Sequence, residues 1–151
     1  LRENIKNIDW FKQVMEIIER EKGYDYYLIS MFTDICIGCP SGEIIDHLKY
    51  LYEKISDNSF QFLCIVSSNF SENDVTNLKI NLGIKFPVIK ANKNLANKWD
   101  DLIKKFGEVN LNNILFLIDR NGWILNIMRP DNKQEFFTFL YQKMKANHEK
   151  N

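Results

Sequence analysis

Apolar positions recur along the chain in two periods, and the switches between them mark out its elements. Within residues 7–22, Trp10, Val14, Ile17 and Ile18 fall on one face at helical spacing and Gly23 follows as a stop, which predicts an amphipathic helix. Residues 24–32 (YDYYLISMF) are aromatic and β-branched over too short a run for a helix, so they predict a buried strand. Residues 41–55 place Ile44, Ile45, Leu48, Leu51, Tyr52 and Ile55 on one face of a second helix, which begins at or within the preceding Cys36–Cys39 stretch. The run 60–67 (FQFLCIVS) is the continuous apolar type of strand found inside a parallel sheet.

Further along, Ser71-Glu-Asn-Asp74 matches a capping signal for a helix reaching Asn81 and ended by Gly83. A short strand over 86–89 and a helix over 95–106, stopped by Gly107, come next. Strands over 114–119 (ILFLID) and 123–128 (WILNIM) flank Arg120-Asn121-Gly122, a strong hairpin signal. A final helix over 131–147 is expected to bury Phe136, Phe137, Leu140, Tyr141 and Met144. The order αβαβαβαββα predicts an α/β fold: a central mixed, mostly parallel sheet, helices on both faces, and a C-terminal hairpin plus helix. Right-handed crossovers would bring the C-terminal end of the first strand to the working edge of that sheet.

Length and composition narrow the function. At 151 residues and 45% hydrophobic, the chain can form one domain with a real core, which excludes disorder. No repeat or linker divides it, so residues 1–151 read as a single domain. Lys plus Arg and Asp plus Glu are 20 each, which argues against a nucleic-acid binder. The excess of Lys over Arg and the 18 Asn are spread along the whole chain and read as codon bias. There is no apolar run of membrane-spanning length and no signal-peptide pattern, so no membrane contact is expected of this segment. Because the chain starts at Leu1, it is expected to be processed, or cut from a longer exported or multidomain protein.

Candidate chemistry rests on Cys36 and Cys39, spaced C-x-x-C between the first strand and the second helix. The thiolate is the nucleophile in disulfide exchange, and unpaired N–H groups and the dipole of a helix N-terminus favour it. This points to Cys36 as nucleophile and Cys39, in the first helical turn, as resolving thiol. Pro40 withholds one N–H donor, and Ile37-Gly38 bring no charge, so the acidity of Cys36 should be moderate. Zinc needs about four ligands. Only Cys64, His47 and His148 remain to supply them, without the spacing, so no metal and no cofactor is expected. Chance occurrence of the motif is the other open reading. Cys64, inside its strand, reads as buried apolar filler, the two histidines as surface residues, and Asp34 and Asp119 as residues that could flank the site but usually form turns.

On these residues the chain resembles the thioredoxin-like superfamily, and within it the TlpA/ResA branch of thiol-disulfide oxidoreductases, over roughly residues 10–144. Met31-Phe32-Thr33-Asp34-Ile35-Cys36-Ile37-Gly38-Cys39 is similar to that branch's strand and C-x-x-C. Phe116-Leu117-Ile118-Asp119-Arg120-Asn121-Gly122 is similar to its F-L-I-D-x-x-G turn, and residues 86–106 resemble its extra strand and helix. The resemblance implies disulfide exchange with protein thiols and disulfides and with an upstream redox partner, by a monomer working outside the cytoplasm, periplasmic or tethered through a removed N-terminal segment. It implies substrate contacts at Ile35, where the family usually has Trp, and at Asn113, where it has a cis-proline. The family's buried Asp or Asn is Ser30 here, and its glutamate after the second cysteine is Gly42, with Glu43 one step off. A redox-inactive thioredoxin-fold interaction module is the reading from another class. A peroxiredoxin-like peroxidase, suggested by Thr33-Asp34-Ile35-Cys36, lacks that family's proline at Ile29 and its arginine near Asn113. A copper chaperone would need C-x-x-x-C and a histidine where Asn112-Asn113 stand.

Overall fold

The computed structural model describes residues 12–20, 23–32, 40–54, 59–67, 69–97, 114–128, 134, 138 and 140–142. In chain order these form α1 (Lys12–Arg20), β1 (Tyr26–Phe32), α2 (Pro40–Lys54), β2 (Phe60–Val66), α3 (Glu72–Leu82), β3 (Val88–Lys90), α4 (Lys93–Asn97), β4 (Ile114–Asp119) and β5 (Ile124–Met128). Gln134, Thr138 and residues 140–142 are helical as well. The strands make a five-stranded sheet in the order β3-β2-β1-β4-β5. β1, β2 and β3 pair in parallel, whereas β4 runs antiparallel to both β1 and β5.

β1 is the central strand, and its sequence explains why. Tyr27, Ile29 and Met31 point to one face, Leu28, Ser30 and Phe32 to the other, and all six are buried, so the strand lacks the polar alternation of a sheet with one wet face. On the first face they pack with Val14 and Ile18 of α1 and with Leu95 of α4. On the second, Leu28 and Phe32 pack with Ile44, Ile45, Leu48 and Leu51 of α2, with Val75 of α3 and with Leu140. Helices therefore cover both faces. Each fully buried Leu, Ile or Phe contributes roughly 1.5–3 kcal/mol through removal of apolar surface from water.

Several element ends differ from the expected ones, each for a local hydrogen-bonding reason. β1 begins at Tyr26 because the N–H groups of Asp25 and Tyr26 both donate to the Ser59 carbonyl, at 3.0 and 2.9 Å, while the Asp25 carbonyl accepts from Arg120 N–H. β3 lies over Val88–Lys90 and not over 86–89. Pro87 has no N–H to offer, its carbonyl accepts from Cys64 N–H at 2.9 Å, and Phe86 is instead a core residue whose ring lies 5.8 Å from that of Phe62. α4 starts at Lys93, ahead of Leu95, because the Asn92 side chain accepts the Leu95 N–H at 2.9 Å and caps the turn.

In the last helix Leu140 is buried but Tyr141 is 53% exposed, against the expectation that both are core. Neighbouring residues on a helix point about 100° apart, and with Leu140 on the sheet Tyr141 turns outward beside the exposed Gln142. Residues 7–11, 21–22, 98–106 and the expected core positions Phe136, Phe137 and Met144 lie outside the described residues.

The hairpin forms as expected, with Gly122 at a φ of 91° and Asp119 accepting the N–H groups of Asn121 and Trp123 at 2.9 and 3.0 Å. A register shift falls between Leu117, opposite Asn126, and Ile118, opposite Ile124. The extra residue in β5 re-phases its side chains, so Ile124 and Ile127 share one face while Leu125 reaches the other.

Candidate active site

The carboxyl ends of β1, β2 and β3 lie at one end of the sheet, and the chain leaves β1 there at Phe32 and enters α2 at Pro40. Residues 33–39 join these points and contain Thr33, Asp34, Ile35, Cys36 and Cys39. These residues and Asn113 lie outside the described residues. Their described neighbours define the frame. Phe32 is fully buried and its carbonyl accepts from Ser67 N–H at 3.0 Å, which ties the ends of β1 and β2 together. Ile114, which follows Asn113 in the chain, pairs with Met31. α2 begins immediately after Cys39, with Glu43 exposed in its first turn, where a carboxylate interacts favourably with the helix dipole.

Beneath this end lies a buried polar pair. Ser30, six residues before Cys36, is 2% exposed and stands opposite Cys64 in the β1–β2 register. Its hydroxyl donates to the Leu63 carbonyl at 3.3 Å. Burial pushes the Cys64 thiol up to about 12, and the Ser30 hydroxyl, which favours the thiolate, offsets little of that. Cys64 is thus a protonated, enclosed thiol, in keeping with its reading as core filler. Nothing in the residue pattern signalled that Ser30 and Cys64 face each other, because a strand's register with its neighbour is not written in either strand alone.

The remaining residues divide by position. His47 is exposed on α2. Asp119 does not flank the cysteine end: it pairs with Tyr26, at the start of β1, and serves as the acceptor of the hairpin turn. A recess of about 310 Å³ lined by Met15, Ile18, Tyr24, Tyr27 and Arg120 also opens at that far end, away from α2. Among the described residues no helix is long and apolar enough to cross a membrane.

No sequence-family model and no curated protein sequence matches the chain. Solved structures do. The structure is similar to a thiol:disulfide interchange protein of the thioredoxin family from Chlorobium tepidum TLS, with a TM-score of 0.63 and 22% identity over 83% of each chain. It is similar to a thiol:disulfide interchange protein from Bacteroides sp., with a TM-score of 0.60 and 16% identity over 83% of this chain and 76% of the other. It also resembles the bacterioferritin comigratory protein of Xanthomonas campestris, a protein with alkyl peroxide reduction activity, with a TM-score of 0.57 and 13% identity over 82% of this chain and 80% of that one. The central strand that runs into α2, the parallel β1-β2-β3 set and the antiparallel closing hairpin are thereby accounted for together: the chain has the thioredoxin-like fold.

Proposed function

We propose that the protein is a thiol-disulfide oxidoreductase in which Cys36 is the nucleophile and Cys39 the resolving thiol. The observation that carries this reading is the junction itself: in a thioredoxin-like sheet, the segment between the end of the central strand at Phe32 and the start of α2 at Pro40 contains both members of the C-x-x-C. The Cys36 thiolate attacks one sulfur of a partner disulfide, forming a mixed disulfide and releasing one partner thiolate. The Cys39 thiolate then attacks the Cys36 sulfur, closing the Cys36–Cys39 disulfide and releasing the second partner thiolate, so the partner gains two electrons and the pair loses two. The reverse sequence donates the disulfide.

Activation of Cys36 rests on the N-terminus of α2, with Pro40 contributing no N–H, and Ser30 supplies no base beneath it. Ile35 and Asn113 take the positions that meet substrate backbone. The partners are protein thiols and disulfides together with an upstream redox protein, and the working compartment lies outside the cytoplasm. With Ser30 hydrogen-bonded to Leu63 in place of a buried acid, a redox-inactive interaction module is the second reading.

Substitution Cys39→Ser separates the two. In the redox reading this variant accumulates a mixed disulfide between Cys36 and a disulfide-bonded protein substrate, seen as an adduct by non-reducing mass spectrometry, and Cys36→Ser abolishes it. Absence of any Cys36 adduct while the fold is intact leaves the interaction module standing.

A further inference from the structure

The β3 edge of the sheet carries a contact that the redox reading does not use. Successive backbone groups of a strand face opposite edges. The Ala91 N–H donates to Val66 of β2 at 2.8 Å, so residue 91 faces into the sheet, and the Lys90 carbonyl and Asn92 N–H face out. Among the described residues no strand pairs with this outer edge. Two of its groups are instead taken by one side chain of α1: Gln13 Nε2 donates to the Lys90 carbonyl at 2.8 Å, and Gln13 Oε1 accepts from the Asn92 N–H at 2.8 Å. A residue of an added parallel strand would make the same pair of bonds, donating to the carbonyl of one edge residue and accepting from the N–H two positions on. The Asn92 side chain is held as well, by the Leu95 N–H.

We propose that Gln13 is a one-residue strand mimic that closes the β3 edge to pairing with a second copy of this chain. An uncovered edge is a template for another chain's backbone, and natural sheets block it by short strands, charges, proline or a covering element. β3 is short and its last residue is Lys90, but the groups that propagate a ladder are backbone donors and acceptors, and Gln13 occupies one of each, the Asn92 N–H and the Lys90 carbonyl. A second copy is the occupant to exclude because the chain's formal net charge is zero, which leaves no overall repulsion between copies.

Sedimentation velocity over a concentration series, on the full chain, tests this. The variant Gln13→Ala is expected to gain a weight-average mass that climbs with concentration toward the paired form, beyond whatever the unsubstituted chain shows. The double variant Gln13→Ala/Lys90→Pro is expected to return to the unsubstituted behaviour. The Lys90 N–H faces outward, so proline there removes a pairing group without costing a bond to β2. A Gln13→Ala profile identical to that of the unsubstituted chain overturns the proposal, and so does association that persists undiminished in the double variant. If Gln13→Ala does not fold, Gln13→Glu replaces it. Its ionised carboxylate still accepts from Asn92 but cannot donate to Lys90, so it must associate at neutral pH and disperse at a pH low enough to protonate it; a profile at neutral pH no different from the unsubstituted chain overturns the proposal.

Discussion

Burial holds the Cys64 thiol protonated up to about 12, so that residue takes no part in disulfide exchange at neutral pH. It also gives the fold a pH dependence with a definite sign. Below the ordinary value of 9.0 both folded and unfolded chains keep the proton, and stability does not change on its account. Between there and about 12 the unfolded chain loses the proton while the folded chain retains it, so stability falls as pH rises, by on the order of 1 kcal/mol per pH unit. Urea unfolding at pH 9 and pH 10 should therefore show a steeper loss for the unsubstituted protein than for Cys64→Val, by on the order of 1 kcal/mol. Equal losses in the two proteins would contradict the assigned burial. The inertness of Cys64 was legible from its place in FQFLCIVS. The Ser30 hydroxyl opposite it was not, because a contact between strands separated by a whole helix depends on register. Nor was the far-end position of Asp119, which follows from β4 pairing antiparallel with β1.

At the scale of single elements, α3 is the most self-contained. Ser71 accepts the Asp74 N–H at 3.0 Å, and the Asp74 carboxylate accepts the Ser71 N–H at 3.0 Å. That backbone donor holds the Asp74 carboxyl below the usual carboxylate range. At the other end Gly83 adopts a φ of 65°, a conformation that disfavours any side chain, and closes the helix. Substitution Ser71→Ala should lower stability by about 1 kcal/mol in chemical denaturation, and a change near zero would mean that the box is not formed in solution. Asp74 contributes in the same direction, with its share present above the ordinary carboxylate value and lost as pH falls through the depressed one. Both ends of α3 were readable because each signal lies within a few residues of the backbone group it satisfies. The displaced starts of β3 and α4 depend on Pro87 meeting Cys64 and on Asn92 capping a turn ahead of the apolar positions, and Tyr141 turned outward because Leu140 took the sheet-facing position.

For the whole molecule, the alternation of strands and helices was enough to predict a mixed α/β sheet with both faces covered. The strand order was not, since nothing local says that the hairpin strand β4 docks on the free side of β1 and makes it central. That placement, with Phe32 leading toward α2, gives residues 33–39 their setting in a thioredoxin-like sheet. The proposed chemistry then requires that the three cysteines behave as a pair and a bystander. The direct test is equilibration of the intact chain in glutathione buffers of graded potential, followed by peptide mapping of every cysteine. Reversible two-electron formation of a Cys36–Cys39 disulfide, with Cys64 remaining a thiol throughout, is the predicted result. A pair that stays reduced under every oxidising ratio, or a disulfide that involves Cys64, would contradict it.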